Sequence, residues 1–201
     1  MVQLDLQTQL RINAERLQAS LLELAKIGAT QKGGVCRLAL TDIDQQGRHW
    51  VINKAKSLGL SVSVDQIGNT FMRRAGRSAH LPPVMTGSHI DTQPTGGKYD
   101  GNYGVLAGLE VIATLNEHGI ETEAPIEIVF WTNEEGSRFT PVMMGSGVFA
   151  GAFSLEHAYS RTDQAGKTVR DELERIGFLG KDKIGEHPCG AYFEAHIEQG
   201  P

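Results

Sequence analysis

The sequence has few of the features that mark nucleic-acid-binding or membrane proteins. Its 201 residues contain no basic run, and the net charge of −5 comes from 19 basic and 24 acidic residues mixed along the chain. This distribution argues against a nucleic-acid partner. The longest apolar stretches, such as residues 126–131, are far too short to span a bilayer. The sequence therefore predicts a protein that binds neither nucleic acid nor membrane.

Cysteine is scarce, and the first residues do not form a secretory signal. Cys36 and Cys189 are the only cysteines, and their spacing fits neither a disulfide framework nor a zinc knuckle. The N-terminal sequence MVQLD lacks a basic segment followed by an apolar core. These features predict two reduced thiols and a cytoplasmic location.

Hydrophobic periodicity predicts helices and strands in alternation. Helical spacing occurs over residues 9–29, 41–59, 102–118, 143–150 and 168–176. Strand patterns occur over residues 60–64, 69–73, 84–88, 126–132 and 191–198. In the second helix, Thr41 is the expected N-cap and Asp44 the acid of a capping box. The nearly continuous apolar run at 126–132 is typical of a strand covered on both faces, so the predicted fold class is α/β.

Two polar clusters lie in the glycine-rich region that follows the strand at residue 84. In the first, GSHIDT, His89 could bind a metal through one ring nitrogen while Asp91 accepts the proton of the other. A single histidine at a strand end is, however, more often not a ligand. In the second, GGKYDG, Asp100 precedes a helix and is either an ordinary N-cap or a carboxylate that bridges two cations.

Two further clusters follow the later strands. Glu134 and Glu135 come directly after an apolar strand, where burial makes unpaired negative charge costly and a cation would compensate for it. One carboxylate could then bind metal while its neighbour faces a water, although a solvated loop would hold both without consequence. Strand alternation places Glu194, His196 and Glu198 on one face, which is either a site or a solvent-exposed surface.

Together, the motifs GSHIDT, GGKYDG, NEEGSRF and HIEQGP resemble those of the zinc amidohydrolases related to aminoacylases and carboxypeptidases. The similarity is greatest to the hydantoinase/carbamoylase group, which contains N-carbamoyl-L-amino-acid hydrolase, β-ureidopropionase and allantoate amidohydrolase. The resemblance runs through essentially the whole chain. It implies hydrolysis of the C–N amide bond of N-carbamoyl amino acids or related ureido acids.

The resemblance also implies a site with two divalent cations, zinc foremost, with manganese, cobalt or nickel as alternatives. His89 and His196 then bind one metal, Asp100 bridges the two, and Glu135 binds the second. Glu134 is the implied general base, which takes a proton from water and returns it to the leaving nitrogen.

Three further expectations come from the resemblance. Asp91 is expected to orient His89, and Gln199 to face the substrate with its side-chain amide. A strained cis peptide is expected after Asp100, where Gly101 would tolerate it.

Members of this group are longer than 201 residues, and after HIEQGP they continue into a lid and dimerisation domain. The implied fold is a three-layer α/β/α zinc-peptidase-like sandwich with a mixed sheet. Residues 1–201 are its expected N-terminal portion, without the lid and the C-terminal part of the catalytic domain. Because further metal and substrate ligands are expected in those parts, the 201 residues alone should be inactive, and the full-length enzyme should be a homodimer.

Two alternatives differ in function. One is an aminoacylase or metallopeptidase of the same superfamily, which would act on other amides. The other is a non-catalytic, truncated metal-binding module. All four metal ligands expected within these 201 residues are present, together with Glu134, which argues against a degenerate parent.

Overall fold

The computed structural model describes residues 10–199, in which helices and strands alternate. The helices are α1 (Ala14–Ala25), α2 (Asp42–Ser57), α3 (Asn102–Glu117), α4 (Met144–Phe149), α5 (Leu155–Tyr159) and α6 (Val169–Arg175). The strands are β1 (Ser61–Val64), β2 (Thr70–Arg74), β3 (Val84–His89), β4 (Ile126–Trp131) and β5 (Ala191–Phe193). Gln9, at the start of the first predicted helix, and Gly200 and Pro201, at the end of HIEQGP, lie outside the described residues.

The five strands form one mixed sheet in the order β1-β2-β4-β3-β5. The β1/β2 and β2/β4 pairs are antiparallel, whereas β3 pairs in parallel with both β4 and β5. The predicted α/β fold with a mixed sheet is confirmed. Since β3, β4 and β5 are parallel, their carboxyl ends meet at one edge of the sheet, which is where open α/β sheets place their sites.

The core lies mainly between the sheet and the three longest helices. On β4, Ile128 and Phe130 join this large cluster, while Val129 and Trp131 face the other side of the sheet and pack with Phe71 and Met85. Both sets are buried, which confirms the prediction that this strand is covered on both faces. No helix among residues 10–199 has the length and apolarity needed to cross a bilayer.

The second helix begins as predicted, but the expected capping box is wrong. Thr41 is the N-cap, and its hydroxyl accepts a hydrogen bond from the Asp44 N–H at 3.2 Å. The Asp44 carboxylate does not reach back to Thr41; it accepts from the Leu40 N–H and from Arg48 Nε, each at 2.8 Å. Both Asp44 and Arg48 are buried, so the Asp44 carboxylate forms a buried ion pair with Arg48 and does not complete a capping box.

The last strand is shorter than predicted: β5 ends at Phe193 and not at Glu198. The Glu194 carboxylate accepts hydrogen bonds from Ser88 Oγ at 2.5 Å and from the Tyr192 hydroxyl at 2.8 Å. Residues 194–199 continue as a loop, so His196 is positioned by this loop and not by strand alternation.

Candidate metal centre

His89 is the last residue of β3, and its imidazole is 1% exposed. Its Nδ1 atom lies 2.9 Å from the backbone carbonyl oxygen of Asp91. A carbonyl can only accept, so Nδ1 carries the proton and Nε2 is available as a ligand atom. The expectation that the Asp91 carboxylate orients this ring is wrong; the Asp91 backbone does so.

Asp100 lies in the loop before α3, but it is not the N-cap of that helix. The N-cap is Gly101, and no side chain caps this helix end. The Asp100 Oδ1 atom lies 3.5 Å from His89 Nε2 and 3.4 Å from His196 Nε2. The interpretation of Asp100 as an ordinary N-cap is therefore wrong, and the carboxylate stands between the two imidazoles.

Gly101 allows this approach, although not through the expected cis peptide. Within residues 10–199 the one cis bond is Thr140–Pro141, so the Asp100–Gly101 peptide is trans. Gly101 has a φ of 65°, and a Cβ atom there would lie 2.4 Å from His89 Nε2. Glycine is required because the chain turns with a positive φ directly against the His89 ring.

His89, Asp100 and His196 form a group that could hold a metal ion, because their ligand atoms lie within 4.8 Å of one another. His89 Nε2 is buried and has no hydrogen-bond partner. Leaving such an atom unpaired is costly, and its separations from the neighbouring carboxylates exceed ordinary hydrogen-bond lengths. Two imidazoles and a carboxylate around a gap of this size are a donor set that suits zinc and related divalent cations.

Glu134 and Glu135 enter the site from the turn after β4, where Asn133 adopts a φ of 53°. Glu134 Oε2 lies 3.4 Å from His89 Nε2, whereas Glu135 Oε2 accepts a hydrogen bond from Gln93 at 3.1 Å. The adjacent carboxylates thus have different neighbours. Both line a cavity of about 220 Å³ together with residues from three other segments, namely Asp100, Val142, Met143, His196 and Glu198.

Gln199 contacts the loop that carries Asp100. Its amide oxygen accepts from the Tyr99 N–H at 2.8 Å and from the Asp100 N–H at 3.3 Å. The backbone N–H of Gln199 donates to Asp100 Oδ2 at 3.0 Å. The side-chain amide that was expected to face substrate is therefore bonded through its oxygen to the backbone, and Gln199 does not line the 220 Å³ cavity.

The electrostatics of the site favour a positive charge at its centre. Burial alone would lower the pKa of His89, but Asp100, Asp91 and Glu134 raise it to about 9. Burial raises the pKa of Asp91 to about 6, and it also raises the pKa values of Glu134 and Glu135. Crowded carboxylates of this kind are stabilised by a cation, whether a proton on His89 or a metal ion.

The sequence analysis did not identify two buried arginines that bond to the segments following β3 and β4. Arg37 and Arg48 are at most 1% exposed. Arg37 donates to the Ile90 carbonyl at 2.7 Å, and Arg48 to the Thr132 hydroxyl at 3.2 Å. No local pattern distinguishes them from surface arginines, because their partners are 53 and 84 residues away.

Comparison with known proteins identifies the family. The profile of peptidase family M20/M25/M40 matches residues 85–201, which is more than half of the chain. The chain belongs to this family. An N-carbamoyl-L-amino-acid amidohydrolase of Rhizobium meliloti is 53% identical over 191 residues, which are 95% of this chain and 46% of that protein. An allantoate amidohydrolase of Bacillus subtilis is 38% identical over 180 residues, 88% of this chain and 43% of that protein.

The solved structures agree with these relatives. A hydantoinase/carbamoylase family amidase from Burkholderia multivorans superimposes with a TM-score of 0.93 at 62% identity, covering 96% of this chain and 47% of that one. The resemblance to the hydantoinase/carbamoylase group is confirmed. The chain spans about half the length of the curated relatives that it matches.

Proposed function

We propose that the whole protein is a metal-dependent amidohydrolase that cleaves the C–N amide bond of N-carbamoyl amino acids or related ureido acids. The observation that carries this proposal is the convergence of His89, Asp100 and His196 around a buried, unpartnered imidazole nitrogen. The names of the relatives from R. meliloti and B. subtilis support the substrate class. In this proposal residues 1–201 form the N-terminal portion of the catalytic domain, and the full-length enzyme is a homodimer.

Each ligand position has a proposed role. His89, His196 and Asp100 would hold one cation, and Asp100 and Glu135 would hold the second. Zinc is the proposed metal, and manganese, cobalt and nickel accept the same ligand types. When bound, such cations lower the pKa of coordinated water and polarise a carbonyl group.

Glu134 is the proposed general base. Its carboxylate lines the cavity and lies 3.4 Å from His89 Nε2, next to the ligand group without belonging to it. From this position it can take a proton from a water in the cavity and return that proton to the leaving nitrogen. With an N-carbamoyl amino acid and one water, the products are the free amino acid, ammonia and carbon dioxide.

The two alternatives predict different measurements. An aminoacylase or metallopeptidase would hydrolyse N-acyl amino acids or dipeptides faster than carbamoyl compounds. A non-catalytic module would turn over neither class, although a metal-binding module would still retain the ion. The GGKYDG and HIEQGP motifs favour the carbamoylase group over the peptidases.

The test is an assay of the purified full-length protein with N-carbamoyl-L-amino acids, allantoate, N-acetyl amino acids and dipeptides, with bound metal measured in parallel. We expect ammonia release from the ureido acids, and loss of both metal and activity in His89→Ala. His118→Ala is the matched control, because His118 lies at the end of α3 and bonds the Thr114 carbonyl. Full metal content in His89→Ala, or preference for dipeptides, would overturn the proposal.

A further inference from the structure

Arg37 lies behind the candidate metal centre and is completely buried. We propose that Arg37 is a positioning residue that fixes the separation of His89 and Asp100 and so preforms the metal site. This inference rests on the proposed function, since it assumes that these two residues bind metal. It assigns Arg37 no contact with substrate, metal or reacting atoms.

The first link runs from Arg37 to the strand end that carries His89. Arg37 Nε donates to the Ile90 carbonyl at 2.7 Å, and Ile90 lies between His89 and Asp91. The backbone adds two bonds, from the Arg37 N–H to Thr92 Oγ1 at 2.8 Å and from the Thr92 N–H to the Arg37 carbonyl at 2.9 Å. Arg37 therefore holds residues 90–92, which directly follow His89.

The second link runs from Arg37 to the loop that carries Asp100. One terminal guanidinium nitrogen of Arg37 donates to Asn102 Oδ1 at 2.8 Å. The Asn102 side-chain nitrogen donates in turn to the carbonyls of Asp100 at 3.1 Å and Lys98 at 3.3 Å. A single planar guanidinium thus bonds directly to the segment that carries His89 and, through Asn102, to the segment that carries Asp100.

The third link fixes Arg37 itself to the end of α1. Its other terminal nitrogen donates to the carbonyls of Leu24 at 3.1 Å and Ile27 at 2.7 Å. A Cβ atom on Gly47 would lie 2.7 Å from Arg37 Cδ, so α2 confines the side chain as well. The guanidinium has little freedom to move, which is what a positioning role requires.

The hydrogen bonds of the Arg37 side chain depend on the planar geometry of its guanidinium group. All four side-chain acceptors of Arg37 are neutral oxygens, and no carboxylate of the described residues forms an ion pair with it. Lysine would keep the charge but has one nitrogen, which cannot reach acceptors arranged around a planar fork. Arg37→Lys therefore separates geometry from charge.

The experiment measures zinc affinity in full-length protein from which metal has been removed, by competition with a chromophoric chelator, together with the visible spectrum of the cobalt-substituted protein. For Arg37→Lys we expect zinc to bind about 10- to 100-fold more weakly, the range typical of residues that support ligands, and the cobalt bands to shift. Val51→Ala is the stability control, because Val51 is fully buried in the core and outside these hydrogen-bond links. It should lower the melting temperature and leave zinc affinity unchanged.

A second variant keeps the test decisive if Arg37→Lys does not fold. Asn102→Ala removes the link to Asp100 and leaves the other three side-chain bonds of Arg37 in place; it should weaken zinc binding in the same way. Wild-type affinity and an unshifted cobalt spectrum in a folded Arg37→Lys or Asn102→Ala protein would refute the positioning role. If the unmodified protein itself bound no metal, the proposed function would fail instead.

Discussion

Asp91 fixes the backbone of Glu134: its Oδ1 atom accepts a hydrogen bond from the Glu134 N–H at 3.2 Å. Its Oδ2 atom accepts from the Glu135 N–H, also at 3.2 Å. The Asp91 carbonyl meanwhile accepts from His89 Nδ1. Asp91, a buried residue two positions after β3, therefore positions the proposed base and a proposed ligand, both in the turn after β4, and the imidazole of His89.

Asp91→Asn should lower kcat about 10- to 100-fold, the range expected for a residue that orients metal ligands. Asparagine has one acceptor oxygen, and its amide NH₂ would face one of the two backbone N–H groups. The Glu134–Glu135 turn would then lose a hydrogen bond and shift. Steady-state kinetics with an N-carbamoyl amino acid measure the effect. Asp171→Asn, an exposed position in α6, is the control, and equal activity of the two variants would contradict the prediction.

Gly101→Ala should abolish metal binding, whereas Gly119→Ala should not. Both glycines have positive φ values, 65° and 61°, so alanine strains the backbone at either position, at about 1–2 kcal/mol. A Cβ atom at Gly101 would collide with the His89 ring, but at Gly119 it would meet nothing within 4 Å. Melting temperature and bound zinc are measured for both. Equal zinc content in the two variants would show that the collision is relieved without loss of the site.

The elements that sequence predicted well are those whose periodicity matches their burial. The helix predicted over 102–118 is found at Asn102–Glu117, and the buried strand predicted at 126–132 is found at Ile126–Trp131. The strand predicted over 191–198 stops at Phe193, and the carboxylate of the next residue, Glu194, accepts a hydrogen bond from Ser88, 106 residues earlier. Local pattern contains no information about such a distant partner.

The ligands of the candidate site were predicted from the sequence, but the contacts that position them were not. The resemblance to the hydantoinase/carbamoylase group implied His89, Asp100 and His196 as metal ligands, and the structure places them together. It could not show that the backbone, and not the side chain, of Asp91 contacts His89, since both are compatible with a two-residue spacing. Nor could it identify Arg37, whose importance depends on contacts made only after folding.

Because of Asp65, the free energy of unfolding should fall as pH rises from about 4 to 7. Burial raises the pKa of Asp65 to about 7 in the folded protein, well above the usual range of an aspartate, although Asn69 and Ile67 donate hydrogen bonds to it. The folded state therefore binds a proton on the Asp65 carboxylate more tightly than the unfolded state does. The stability that this protonation contributes is fully present below pH 4 and is lost as pH rises through 7.

Asp65→Asn tests this, because asparagine does not titrate and can still accept the two backbone hydrogen bonds. The free energy of unfolding is measured by urea denaturation between pH 4 and 8 in the presence of a chelator. The difference between the unmodified protein and Asp65→Asn should change with a slope of up to about 1.4 kcal/mol per pH unit. A difference independent of pH would mean that Asp65 is ionised in the folded protein throughout this range.

Glu134→Gln and Glu135→Gln should separate the two adjacent carboxylates by function. Glutamine at 134 keeps the shape of the side chain but cannot accept a proton from water, so kcat should fall roughly 10²- to 10⁴-fold while bound metal is unchanged. Glutamine at 135 removes a proposed ligand, so bound metal should fall from two ions to one.

Metal content by elemental analysis and kcat measured on the same samples distinguish these outcomes. The decisive case is Glu134, because its carboxylate lies as close to His89 Nε2, at 3.4 Å, as Asp100 does at 3.5 Å. Distance alone would therefore allow Glu134 to be a ligand. If Glu134→Gln lost metal in proportion to activity, it would be a ligand and the proton would need another acceptor. Retained metal with lost turnover would assign it to proton transfer, since only its charge and basicity have changed.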